Sequence, residues 1–372
     1  MNEIQRYLAE EVAEVCGQGH ITRFEAMRRL RLMGVSAAVA VALLSACGSD
    51  DTTSPEAMTV ESNEGTGAPS NAAAPMPAFE SPAALGNTSA TPTATEGNVI
   101  PTAPPASPAA PAGGGAAAPP ATSPPTTAPA EPAPASPPAA TPGMAITTEA
   151  ITFTGPRGEL QAAWASAAQP RGAVLVIHEN RGLNDHIRSV AGRFAAAGYS
   201  ALALDLLSQE GGTAALGDTA NATAALGMAG QMPQRFVDDM RAALDELARR
   251  VPGAKLGAIG FCFGGGQMWS LVASKDPRLA AVAPFYGPLP QGADFTGSNA
   301  AVLGVYGELD ARVNATRDAA EAALTRAGLT HEIVTFPGAN HAFFNDTGAN
   351  FNAAAAEQAW ARVLDWFGQN LG

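Results

Sequence analysis

A single α/β domain over residues 146–372, with a mainly parallel sheet covered by helices on both faces, is the fold class this sequence predicts. Short continuous apolar runs at residues 173–177, 199–204 and 256–261 read as strands buried on both sides. Between such runs, apolar residues recur at helical spacing, which gives the strand–helix alternation of a parallel sheet. The third observation is where the 30 Pro fall, because most lie between residues 54 and 142 and leave the C-terminal part free to fold.

Taken in order, residues 149–153 and 160–164 form an opening pair of strands, and 173–177 is the first fully covered one. Asn184 is placed to cap a helix whose buried face is Ile187, Val190, Ala191, Phe194 and Ala195, with Gly198 as its stop. Strand 199–204 follows, then a helix marked by Phe236, Val237, Met240, Ala243, Leu244 and Leu247, then strand 256–261. Strands 280–285 and 302–306, a helix over 313–327, strand 333–336 and an amphipathic helix over 353–367 complete the set. A ligand site is expected outside the carboxyl ends of such strands.

Residues 48–145 are Ala, Pro, Thr, Ser and Gly with almost no aromatic or branched aliphatic side chains, a composition that cannot bury enough apolar surface to order itself. Its Pro-rich part, at about 3.1 Å per residue, makes a tether on the order of 100 Å long. Ahead of it, Arg28, Arg29 and Arg31 precede a short apolar run ending in Leu44-Ser45-Ala46-Cys47. That is the plan of an export signal, about half the roughly 20 residues of a membrane span. Leu-Ser-Ala-Cys resembles a bacterial lipobox, in which Cys47 becomes the lipidated first residue, and Arg28-Arg29 loosely resembles a twin-arginine signal. The expected partner of this end is a bacterial membrane, with the domain periplasmic or at the cell surface. The division predicted is therefore 1–47 signal, 48–145 tether and 146–372 domain.

The formal charge of −13 argues against nucleic acid as a partner, since phosphate binding needs clustered Lys and Arg and none cluster after residue 31. Of three Cys, Cys16 leaves with the signal and Cys47 carries lipid, so Cys262 has no disulfide partner and its presence calls for burial or chemistry. No His, Asp and Glu group has metal spacing and no phosphate loop follows the first strand, so neither a metal nor another cofactor is expected.

At the end of strand 256–261 stands Gly260-Phe261-Cys262-Phe263-Gly264, a Gly-x-nucleophile-x-Gly elbow with Cys in place of Ser. The glycines are needed because the nucleophile sits in a strained turn. The following helix N-terminus would favour thiolate over thiol. Asp310 follows the strand ending at Tyr306, and His341 the strand ending at Phe336, each in a loop at the edge where the elbow opens. The order nucleophile, acid, base is that of α/β-hydrolases, with His341 as general base and Asp310 orienting it. Glu308 is a runner-up acid and reads better as a solvent-facing turn residue.

Together the Cys elbow, the triad spacings and His178-Glu179-Asn180-Arg181-Gly182 after a strand resemble the dienelactone hydrolase (carboxymethylenebutenolidase-like) family over residues 151–371. The resemblance implies that Glu179 holds the resting Cys262 thiol. It also implies that the backbone N–H groups of Asn180 and Phe263 form an oxyanion hole. Where carboxylate-binding members carry an Arg four residues after the catalytic His, this chain has Asn345. Arg181, Tyr286, Asn345 and Arg312 are the candidate pocket residues; His178 is expected to pack under its loop, and His186 and His331 to be exposed.

The activity expected is cleavage of small ester or lactone carbonyls through a thioester acyl-enzyme. Two alternatives stand beside it: a peptidase or acyltransferase of the same fold, and a surface lipoprotein that binds a ligand without turnover. Retention of Cys262, Asp310, His341 and Glu179 together weighs against the last.

Overall fold

Eight strands in the order β1-β2-β4-β3-β5-β6-β7-β8 form the core of a computed structural model that describes residues 1–47 and 145–372. The predicted tether thus lies, but for Ala145, outside the described residues. β1 (Glu149–Gly155) and β2 (Gly158–Ala165) are the predicted opening pair, an antiparallel hairpin whose register closes at Gly155 and Gly158. β3 (Gly172–Ile177), β4 (Tyr199–Leu204) and β5 (Leu256–Phe261) are buried at every position, as their unbroken apolar runs demand. β6 (Leu279–Phe285), β7 (Ala301–Gly307) and β8 (His331–Phe336) continue the sheet in parallel, and β8 is the half-exposed edge. Among the described residues only the β1–β2 and β2–β4 pairings are antiparallel.

Helix α4 (Asp185–Ala196) starts where Asn184 accepts the Ile187 N–H and ends before Gly198. It shares one face of the sheet with the last helix, Ala353–Leu371, through Phe194 against Trp360 and Phe367. The other face is covered by the helices Gln234–Arg250 and Phe263–Ala273, where Phe236 meets Phe263 edge-on. Between β4 and the Gln234–Arg250 helix lie two helices without a sequence prediction, α5 (Thr213–Leu216) and α6 (Thr219–Ala229). Their Ala-rich sequence has no apolar stripe to announce a helix. Numbered on in chain order, Gln234–Arg250 is α7 and Phe263–Ala273 is α8.

The helix expected over 313–327 is two pieces, α9 (Ala311–Asn314) and α10 (Arg317–Ala327). The break has a cause in Thr316, whose hydroxyl accepts the Leu289 N–H and donates to the Val313 carbonyl. The closing helix Ala353–Leu371 is α11.

Residues 1–47 fold as α1 (Glu3–Gly17), α2 (Arg23–Leu32) and α3 (Ala37–Leu43) and belong to the same compact unit as the domain. α1 opens with a capping box between Asn2 and Gln5. No helix among the described residues is long and apolar enough to cross a membrane.

Candidate active site

The strand β5 ends in a turn so sharp that Cys262 takes φ 55° and ψ −115° as the N-cap of α8. Such a conformation is strained for a residue with a Cβ. Two glycines make room for it. A Cβ on Gly260 would stand 2.3 Å from the Gly264 carbonyl oxygen, and one on Gly264 would stand 2.6 Å from the carbonyl oxygens of Ile177 and His178. The second contact locks the start of α8 against the end of β3, so the loops carrying Phe263 and Asn180 converge. The main-chain N–H groups of both residues donate to no acceptor among the described residues. Of the four non-glycine residues with positive φ among the described residues, three are here: Cys262, Tyr286 and Ala342, the last beside His341.

Asp310 is fully buried at the end of β7, where Oδ1 accepts the Val313 N–H and caps α9. Its Oδ2 accepts from Nδ1 of His341 at 2.7 Å. Burial opposes charge on both groups, yet the pair resolves it: Asp310 is held below its ordinary pKa and His341 well above. Tyr286 lies edge-on to the His341 ring at 5.3 Å. An imidazole nitrogen of His341, the Cys262 sulfur and a Glu11 carboxylate oxygen all lie within 4.8 Å of one another. Nε2 of His341 has no hydrogen-bond partner among the described residues. The three predicted triad residues are thus brought together at one edge of the sheet.

Two expectations change at the thiol. Its hydrogen bond goes to Oε2 of Glu11 at 3.3 Å rather than to Glu179, and the Tyr7 hydroxyl lies 3.4 Å from the same sulfur. Instead of a thiolate favoured by the helix N-terminus, burial first and the Glu11 carboxylate second push the thiol pKa up, and the neighbouring imidazole only partly offsets them. Glu179 is buried beside the site and accepts from Asn345 Nδ2 at 2.7 Å and from the Tyr286 hydroxyl at 3.5 Å. Asn345 is itself fixed, its Oδ1 taking the backbone and hydroxyl donors of Thr347. A cavity of about 100 Å³ remains, bounded by Glu11, Glu179, Asn180, Arg181, Cys262 and His341.

The remaining predictions divide. Arg181 is exposed at that cavity's rim, and Glu308 is exposed and accepts the Gly338 N–H. His178 is buried under its loop as expected, accepting the Leu206 N–H at Nε2. His186 corrects the reading of an exposed residue: it is buried between Phe261 and Phe344, with Nδ1 on Asp346. His331 is half-buried, so it too is less open than expected. Arg312 stacks over the Tyr7 ring at 4.5 Å and bonds Glu14 at 3.0 Å. The residues sequence reasoning missed are Tyr7, Glu11 and Glu14, which share one face of α1 by their spacing. They come from the far end of the chain, which is also why the Glu11, Cys262 and His341 donor group had no spacing to reveal it.

The family model of the dienelactone hydrolase family matches residues 160–371. An Escherichia coli protein provisionally named carboxymethylenebutenolidase is 35% identical over 219 residues, covering 55% of this chain and 79% of that protein. A Methylorubrum extorquens protein of the same provisional name is 32% identical over 215 residues, covering 54% and 72%. Among solved structures, a Klebsiella pneumoniae protein provisionally named dienelactone hydrolase is 29% identical, with TM-score 0.53 over 60% of this chain and 98% of that one.

Proposed function

Because the chain belongs to the dienelactone hydrolase family of α/β-hydrolases, we propose that it cleaves small ester or lactone carbonyls with Cys262 as nucleophile, His341 as base and Asp310 as the orienting acid. The observation that carries this reading is Cys262 held at a strained bend beside an imidazole whose other nitrogen is anchored on Asp310. In the reaction, Nε2 of His341 takes the thiol proton while sulfur bonds to the carbonyl carbon. The carbonyl oxygen, now negative, is received by the N–H groups of Asn180 and Phe263. Collapse breaks the carbon–oxygen bond and His341 returns the proton to the leaving alcohol, leaving a thioester. Water, deprotonated by His341, then attacks the thioester to release acid and restore the thiol. Glu179 stays beside the thiol, held by Asn345 and Tyr286, and Arg181, Tyr286 and Asn345 shape the substrate pocket.

Residues 1–47 are read as an export leader, with Cys47 lipidated and the domain held on a bacterial membrane at the periplasmic or outer surface. The Leu44-Ser45-Ala46-Cys47 sequence supports this. Changing Cys47→Ala should move the protein from the membrane to the soluble fraction, and mature protein with Cys47 unmodified would overturn it.

For the chemistry, the chain is assayed on p-nitrophenyl acetate and a lactone series, with intact-mass detection of an acyl adduct. Cys262→Ala should lose adduct and lower turnover by roughly a thousandfold or more. Turnover unchanged in Cys262→Ala removes the thiol mechanism.

A further inference from the structure

A leader that serves only as an address has no need to fit its own passenger. Here the fit is extensive. Asn2 Nδ2 donates to the Gly227 carbonyl at 3.2 Å, the Gln291 N–H to Glu3 at 2.8 Å, and Arg28 pairs with Asp218 at 2.9 Å. Ile4 lies so close to Gly230 that a Cβ there would come within 2.6 Å of it.

The centre of this contact is the reactive edge of the sheet. Glu11 is only 6% exposed, and a buried carboxylate is costly unless both oxygens find partners. Both do, and both partners belong to the domain: Asn180 Nδ2 holds Oε1 at 2.6 Å and the Cys262 thiol holds Oε2 at 3.3 Å. The thiol donates to Glu11, and Nε2 of His341 meets no hydrogen-bond geometry with a partner among the described residues. Tyr7 closes the other side of the sulfur, its ring under Arg312 and its hydroxyl 3.4 Å away. Burial, then Cys262 and Glu11, hold that hydroxyl well above its ordinary pKa, so Tyr7 stands there as a neutral phenol.

What remains open is too small for a substrate of ordinary size. The cavity at Cys262, about 100 Å³, falls below the roughly 300 Å³ at which ligand pockets begin. A second cavity of about 220 Å³ reaches Phe263 and Arg312, and it too is walled by α1, through Tyr7 and Glu10. Lifting α1 removes a wall from each.

We propose that residues 1–47 are a built-in inhibitor of this enzyme: α1 fills the substrate cleft with Tyr7 and Glu11 seated on the Cys262 thiol, and hydrolysis begins when the segment is lifted or removed. The proposal rests on the hydrolase reading above for its consequence, though not for the contact itself. It also gives leader removal a second outcome besides delivery, since the processed enzyme loses its own plug. Cys47 is buried against α1, with its thiol on the Ala13 carbonyl at 3.7 Å, so processing at that residue requires residues 1–47 to open as well.

The test reads access to the sulfur, not only turnover. The full chain is treated with iodoacetamide, and labelling of the Cys262 peptide is followed by mass spectrometry, beside p-nitrophenyl acetate hydrolysis. Two variants are compared with the unaltered chain: Tyr7→Ala/Glu11→Ala, which strips the groups on the thiol, and Glu14→Arg, which sets like charges at Arg312 and touches nothing at Cys262. Both should label at least about tenfold faster, the shift expected when a docked state loses that factor in population, and hydrolysis should rise in parallel. Faster labelling with no hydrolysis upholds the inhibitor contact and defeats the hydrolase reading. Labelling of the unaltered chain at the variants' rate overturns the proposal. A third measurement needs no variant: amides of α1 should resist hydrogen exchange in the unaltered chain and lose protection once Cys262 is alkylated, because α1 then keeps only its contacts within residues 1–47. An α1 unprotected from the outset overturns the proposal as well.

Discussion

Asp310 grips His341 from one side only: Oδ2 holds Nδ1 at 2.7 Å, while Nε2, on the far edge of the ring, bonds to nothing among the described residues. When the ring is neutral, that arrangement keeps its proton on Nδ1 and its lone pair on Nε2. Asp310→Asn can offer an amide donor to Nδ1 and so stabilise the opposite tautomer. We expect kcat to fall by about four orders of magnitude with the thermal midpoint little changed. Removal of the carboxylate should also bring the His341 pKa down toward its ordinary value, readable by NMR titration of the ring. A variant with near-native kcat would detach Asp310 from the reaction.

The Cys262 thiol is raised by burial first and by the Glu11 carboxylate second. Replacing Glu11→Gln removes a negative neighbour of the thiolate, so the pH at which iodoacetamide labelling of Cys262 reaches half its maximum should shift downward. An inflection that stays in place means that Glu11 does not face the thiol in solution.

The elbow gives a prediction about stability. Gly264→Ala would drive a methyl group against main-chain oxygens at the end of β3, which cannot yield as a flexible side chain would. A loss of about 2–4 kcal/mol is expected, measured by urea unfolding. A loss below about 0.5 kcal/mol would mean that α8 and β3 are not in contact.

How far the sequence went follows from where each signal is stored. The strands of 199–204 and 256–261 were legible to the residue because a strand covered on both faces must be apolar throughout. The placement of Cys262, Asp310 and His341 was legible because each follows a strand of the same sheet. The α5–α6 region was not, since alanines all round a helix leave no stripe. Nor was the break at Thr316, which depends on a hydrogen bond to Leu289, 27 residues away. Tyr7 and Glu11 could not be matched to Cys262 at all, because export-signal features in the same 47 residues gave a sufficient reason for their presence.

Away from the site, Asp276 is bound by Arg278 and Arg241, and the Arg278 hydrogen bond leads the effects that bring its pKa down to about 2. A depressed carboxylate stabilises the fold above its unfolded value, near 3.8, and that contribution is lost as pH falls through about 2. With solvent screening discounted, it is on the order of 1 kcal/mol. Arg278→Ala should therefore flatten the acid limb of the unfolding curve between about pH 4 and pH 2. The same slope in the variant and the unaltered chain would refute this.

Glu11 and its sulfur partner are 251 positions apart, and a chain is synthesised from its N-terminal side. The ribosome finishes α1 long before it adds Cys262, so the group that meets the sulfur is already waiting when the domain closes. An emerging polypeptide of this design carries its guard ahead of its reactive atom, and the cell that makes it need not supply one.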